Sequence, residues 1–158
     1  MLATGACALV AGCGSADRFD LRTPDLGQRA PATPGTAEER NILRHWGEHL
    51  RLRDAVGASR DFVVPAYVNN GESGWVELSD RDAVENFNRG FTCGAQLLSA
   101  RRRPDGFVVG TFQLVEQPGA NKCGARTGQL RVIAVQITDH RITRWLNEQQ
   151  PDEAGMIA

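Results

Sequence analysis

Lysine is almost missing: Lys122 is the single example, so arginine carries nearly all of the positive charge. The 18 basic residues face 19 acidic ones, and a formal net charge of -1 leaves no overall positive field to gather phosphates. Nucleic-acid binding is therefore not expected. No apolar run reaches the roughly 18 to 20 residues of a membrane-crossing helix, so membrane attachment would have to come from a processed or lipidated end. There is no GxSxG, no P-loop, no GxGxxG and no catalytic Ser-Lys pair, which argues against nucleophilic and phosphoryl-transfer chemistry. Tyrosine occurs once, at Tyr67. What is left, 41% apolar with 17 Gly and 7 Pro, is the composition of one ordinary globular domain plus a short tail.

The four cysteines divide by position. Residues 2–12 are uncharged and small or apolar, and they end in Leu9-Val10-Ala11-Gly12-Cys13. That string resembles the lipobox of bacterial lipoproteins. The resemblance implies a signal peptide over residues 1–12, a lipid on the Cys13 thiol, and an extracytoplasmic chain held to the membrane by that lipid. With Cys13 acylated, Cys93 and Cys123 remain as one pair in an oxidising compartment, and a disulfide between them is expected. Two cysteines so far apart, without CxxC or Cys-His spacing, are too few for a structural zinc site.

Residues 13–35 hold Pro24, Pro31 and Pro34 with little periodic apolar character and read as a flexible tether, leaving residues 36–150 for the folded domain and 151–158 for a tail. Thr36-Ala37-Glu38-Glu39 is a capping box, after which Ile42, Leu43, Trp46 and Leu50 form an apolar stripe on one helix face. A short second helix over 54–60, broken by Gly57, and a strand over 62–69, edge-placed or bulged at Pro65, follow. Trp75 to Leu78 reads as extended, and Ser79 or Asp80 caps a helix ending at Arg89, with Gly90 suited to a left-handed turn. The rest reads as strands over 95–102, 107–116, 130–138 and 141–147. Alternation in the second and third of these pieces makes both sheet faces largely apolar, so a homodimer packed sheet to sheet is expected.

This α+β order resembles the nuclear transport factor 2-like superfamily, which includes ketosteroid isomerases and polyketide cyclases. The carriers are the helix around Arg44-His45-Trp46, the stretch Leu78-Ser79-Asp80-Arg81-Asp82-Ala83-Val84, and the strand Arg141-Ile142-Thr143-Arg144-Trp145. The resemblance implies a cone-shaped, curved antiparallel sheet wrapped around N-terminal helices, with a pocket open at one end. Candidate pocket residues are Trp46, His49, Tyr67, Trp75, Gln113, Gln136 and Trp145.

His45-Trp46-Gly47-Glu48-His49 matches the inverted zincin string, which sets two imidazoles four residues apart on one helix. It wants a third ligand and a larger fold, so a flanking core histidine and a solvated one are expected, with no metal and no cofactor. Glu77 and Asp61 are the carboxylates nearest the expected pocket, and Arg101-Arg102-Arg103 reads as a solvated hairpin tip. The function expected is a cell-envelope lipoprotein whose domain binds a small apolar molecule or a partner protein without chemistry. The alternative is a cavity isomerase, cyclase or dehydratase using Tyr67 with a carboxylate or His49.

Overall fold

A computed structural model describes residues 32–71, 74–119 and 122–148. The expected signal peptide, the expected lipidation site at Cys13, most of the expected tether and the expected tail lie outside the described residues. The elements are β1 (Thr33–Pro34), α1 (Ala37–Arg51), α2 (Ala55–Arg60), β2 (Phe62–Asn69), β3 (Val76–Leu78), α3 (Arg81–Arg89), β4 (Gly94–Arg102), β5 (Val108–Val115), a 3-10 turn (Gly124–Arg126), β6 (Leu130–Thr138) and β7 (Arg141–Glu148). The strands form one sheet in the order β1-β4-β5-β6-β7-β2-β3.

The expected capping box is present: the Thr36 hydroxyl accepts from the Glu39 amide at 3.1 Å, and the Glu39 carboxylate accepts from the Thr36 amide at 2.7 Å. It starts α1 where the stripe of Leu43, Trp46 and Leu50 turns inward to bury completely or nearly so. Gly47, which helix propensity alone disfavours, lies where α1 crosses the sheet. A Cβ there would stand 2.6 Å from the Ala95 carbonyl oxygen of β4, so the glycine is what lets helix and strand approach.

Several expectations need correcting. The sheet is mixed, because β2 pairs with β7 in parallel while the other pairings are antiparallel. Of the two placements open to Pro65, an edge or a bulge, the structure has the second: β2 is interior to the sheet order, and the β2–β7 register shifts between Phe62 and Tyr67. Residues 33–34, assigned to the tether, pair with Arg102 and Arg101 of β4; on an edge strand Pro34 forfeits no ladder bond. Gly57 sits inside α2 without breaking it, since the Asp54 side chain accepts its N–H at 2.7 Å. Gly90 ends α3 at φ -68, within the right-handed region, rather than in a left-handed turn.

The helices cover one face of the curved sheet, where Phe62, Phe112, Val135, Ile142 and Trp145 join the α1 stripe in the main core. On the outer face a smaller cluster gathers Phe107, Ala134 and Leu146, with Trp75 and Val109 packed against it. Leu130, also on this face by strand alternation, is 41% exposed, and Leu98, at the β4 bulge between Leu97 and Ser99, is 52% exposed. Cys93, just before β4, is bonded to Cys123 in the β5–β6 loop. The same loop is tied by Glu116, whose carboxylate accepts from the amides of Lys122, Cys123 and Gly124 at 2.9, 3.3 and 3.3 Å.

The arginine run is mostly committed to ion pairs rather than solvated. Arg102 bonds the buried Glu39 carboxylate, its Nε donating at 2.8 Å. Arg103 pairs with Asp105 and Glu148 and lies over the Phe107 ring at 5.6 Å. Burial by itself would raise the Glu39 carboxyl, but Arg102 and the Thr36 amide and hydroxyl outweigh it and hold the group below its ordinary value. A depressed folded value means stability that is present above the unfolded carboxyl pKa and lost as the pH falls through the folded one. Glu39→Gln keeps the cap geometry but loses the charge, so it is expected to cost about 1 to 2 kcal/mol at pH 7. The gap to wild type should close below about pH 4. Urea midpoints at pH 7 and pH 3 check it; an equal deficit at both would refute a charge effect.

Candidate functional site

Between the helices and the concave face of the sheet lies a cavity of about 190 Å³. Trp46 and Leu50 of α1, Phe112 of β5, Ile133 of β6, Trp145 of β7 and Phe91 form its apolar wall. The rings meet edge to face: Trp46 lies 5.6 Å from Phe112 and 6.3 Å from Trp145, and Phe91 is 5.8 Å from both indoles. The Trp46 indole N–H donates to Asn88 Oδ1 at 2.9 Å, and Asn88 in turn donates to the Val84 carbonyl. Trp145 is different. Its indole nitrogen is buried and finds no acceptor among the described residues.

Polar groups collect toward the mouth: Asn70, Thr92, Asn147, Arg126 and Arg131. Arg126 is held there by Thr92 Oγ1 and by the Cys123 and Lys122 carbonyls. An adjoining hollow of about 270 Å³ shares Leu50, Phe91 and Thr92 and adds Arg53, Arg89 and Lys122. Among the described lining residues of the 190 Å³ cavity there is no carboxylate, imidazole or phenol. The wall can therefore sequester an apolar body, and the mouth can receive an anion, but nothing described there abstracts a proton.

The seven residues expected in one pocket are divided. Trp46 and Trp145 line the cavity. Tyr67, Trp75, Gln113 and Gln136 belong to the outer side: Ala66 and Val68 take β2's inward positions, Phe112 takes β5's, and Gln136 shares its face with Ala134. There the Tyr67 hydroxyl donates to Glu77 at 3.2 Å, and the Arg144 guanidinium lies over the Trp75 ring at 5.6 Å. Burial and the Glu77 charge both raise the Tyr67 phenol above its ordinary value. Tyr67 thus cannot act with His49 on one bound molecule. Alternation marked the faces correctly but not which of them the helices cover, and the mouth residues come from loops that no periodicity flags.

His49 sits on the solvent side of α1 beside His45. The two Nε2 atoms are 3.2 Å apart and the rings stand at 88°. Asp61, expected near the pocket, instead contacts His45 Nδ1 at 2.9 and 3.2 Å, while Asp54 Oδ2 lies 2.9 Å from His49 Nδ1. Burial lifts the Asp61 carboxyl above its ordinary value against the opposing pull of both histidines. The Gly57 amide, then His49, hold Asp54 below its own. Glu48, the acid of the zincin-like string, is engaged by Arg51 at 2.9 Å and so is not placed as a base.

No family model matches the chain, and no curated protein matches it. Solved structures do. A protein from Kribbella flavida DSM 17836, provisionally named a ketosteroid isomerase, superposes with a TM-score of 0.52 at 12% identity over 79% of this chain and 91% of its own. The chain has the nuclear transport factor 2-like fold. A Sinorhizobium meliloti protein provisionally named a polyketide cyclase gives 0.51 at 13% identity, covering 72% of this chain and all 100% of its own. A protein of ketosteroid isomerase-like fold from Catenulispora acidiphila DSM 44928, solved in complex with trimethylamine, gives 0.51 at 13% over 70% and 85%. Identities this low establish a shared fold and leave chemistry to the residues of each cavity.

Proposed function

We propose that this nuclear transport factor 2-like domain is a non-catalytic binding module that takes a small molecule with an apolar body and an anionic, hydrogen-bond-accepting end. The observation that carries the reading is the buried Trp145 N–H, without a partner among the described residues, in an aromatic cavity whose mouth bears Arg126 and Arg131. A buried donor without an acceptor costs about 1 to 3 kcal/mol, which a bound carboxylate would relieve. The cavity's 190 Å³ is below the roughly 300 Å³ at which drug-sized pockets begin, so the ligand is compact or enters only in part.

The module is placed by this proposal outside the cytoplasm, anchored through Cys13. The lipobox-like string and the Cys93–Cys123 disulfide support that location, and among the described residues no helix is long and apolar enough to cross a membrane. The expected homodimer belongs to the same reading, with the exposed Leu130 of the outer face left for a second copy.

Tryptophan-fluorescence titrations with small aromatic and branched aliphatic carboxylates, set beside their amides and alcohols, test the ligand. Carboxylates are expected to bind more tightly than the neutral forms. Trp145→Phe, which keeps the ring and removes the donor, should weaken binding about tenfold. If no carboxylate shifts fluorescence or melting temperature, or if Trp145→Phe binds as wild type does, the reading fails.

A further inference from the structure

The geometry points to a second site, on the opposite surface of α1: His45, His49 and Asp61 hold a divalent transition-metal ion of the zinc class, with Asp54 orienting His49. It is independent of the cavity and of the ligand proposed for it.

The argument begins with α2, which presents a carboxylate at each end. Asp54 caps its N-terminus, fixed by the Gly57 amide at 2.7 Å; Asp61 caps its C-terminus, and its own carbonyl accepts from the Ile142 amide of β7 at 2.7 Å. These ends meet the two imidazoles that the helical i, i+4 spacing sets side by side on α1. An ionised carboxylate only accepts, so each Nδ1 carries the proton in the bond to its aspartate, and the Nε2 of each ring, when neutral, presents a lone pair. Those lone pairs stand 3.2 Å apart. Two acceptors that close are repulsive unless something positive lies between them. Nitrogens bonded to one tetrahedral zinc at about 2.0 to 2.1 Å are separated by about 3.3 Å, so the observed spacing is that of two ligands on a single ion.

The third ligand is within reach. One donor atom from each of His45, His49 and Asp61 can be chosen so that all lie within 4.8 Å of one another, and Asp61 would leave His45 Nδ1 and turn toward the paired Nε2 atoms to join the ion. The set of two imidazoles and a carboxylate suits zinc and its neighbours rather than calcium or magnesium. Asp54 on His49 reproduces the carboxylate–histidine arrangement that fixes a ligand's tautomer and orientation. Gly57 belongs to this construction too: a Cβ there would collide with the His49 ring and the Asp54 carboxylate, so a side chain would break the site apart. Access is open, because His45 is 62% exposed and opens with Asp61 onto a surface hollow of about 470 Å³. Coordination positions not filled by the protein would face that hollow.

Isothermal titration of the disulfide-bonded chain with zinc ions alone tests the assignment. One saturable site is expected, lost in His45→Ala and in His49→Ala, and weakened about tenfold in Asp54→Asn. His140→Ala, which removes the third histidine from its exposed pairing with Glu38, should change nothing. X-ray absorption of the zinc-loaded protein should show nitrogen and oxygen neighbours with imidazole scattering. If zinc binds equally well to the His45→Ala/His49→Ala double variant, or if sulfur appears in its shell, the assignment is wrong. It is equally wrong if no zinc binds and NMR shows His45 and His49 sharing one proton. Asp61→Asn leaves both helices' apolar contacts in place and is expected to weaken zinc at least tenfold, so the test survives if an alanine variant misfolds.

Discussion

Trp46→Ala is expected to remove about 3 to 5 kcal/mol of stability, a third or more of what a domain of this size usually has. The side chain is fully buried, touches Phe91, Phe112 and Trp145, and ties α1 to α3 through Asn88. Its loss leaves a void beside the existing cavity and strips Asn88 Oδ1 of its donor. The melting temperature should fall by about 15 °C or more. Trp46→Phe separates the two contributions: it retains most of the ring contact, loses the N–H, and should cost about 1 to 2 kcal/mol. Chemical denaturation of the pair checks both, and a loss under about 1 kcal/mol for the alanine variant would show that the aromatic wall yields rather than supports.

The second large effect lies in the disulfide. With Cys93 and Cys123 separated by 30 positions in sequence, the chain-entropy model assigns the link about 3.5 kcal/mol, within the range of about 2 to 5 measured for native bridges. Cys93→Ser/Cys123→Ser should lose that amount, and wild type in strong reductant should fall to the variant's value while the variant itself does not respond to reductant. Because Cys123 sits in the loop that carries Arg126 to the cavity mouth, carboxylate binding should weaken in the same samples. A reductant effect of the same size on the double-serine variant would assign the loss to something other than this bond.

Much of the architecture is written in local patterns. The capping box, the Leu43-Trp46-Leu50 stripe and the alternation of β5 and β6 each act over a few residues, and each appears where its own short-range physics puts it. The parallel β2–β7 pairing joins residues nearly eighty apart and leaves no local mark. The cavity mouth was hidden for a similar reason: Asn70, Thr92, Arg126 and Asn147 converge from separate loops and strand ends. His45 and His49 were visible as a spacing, but the two aspartates that orient them became meaningful only once α2 was seen folded across α1. Gly47 shows the limit most plainly, since it weakens its helix in isolation and is required by the strand passing beneath it.

The central place of β7 also dictates when the molecule can come together. β7 is the last described strand to be synthesised, yet it alone joins β6 to β2, and through β2 to β3. A nascent chain stopped before residue 141 has two sheet fragments with no seam between them. Assembly of the sheet therefore waits for the ribosome to finish the domain, and the two fragments join only when the final strand arrives.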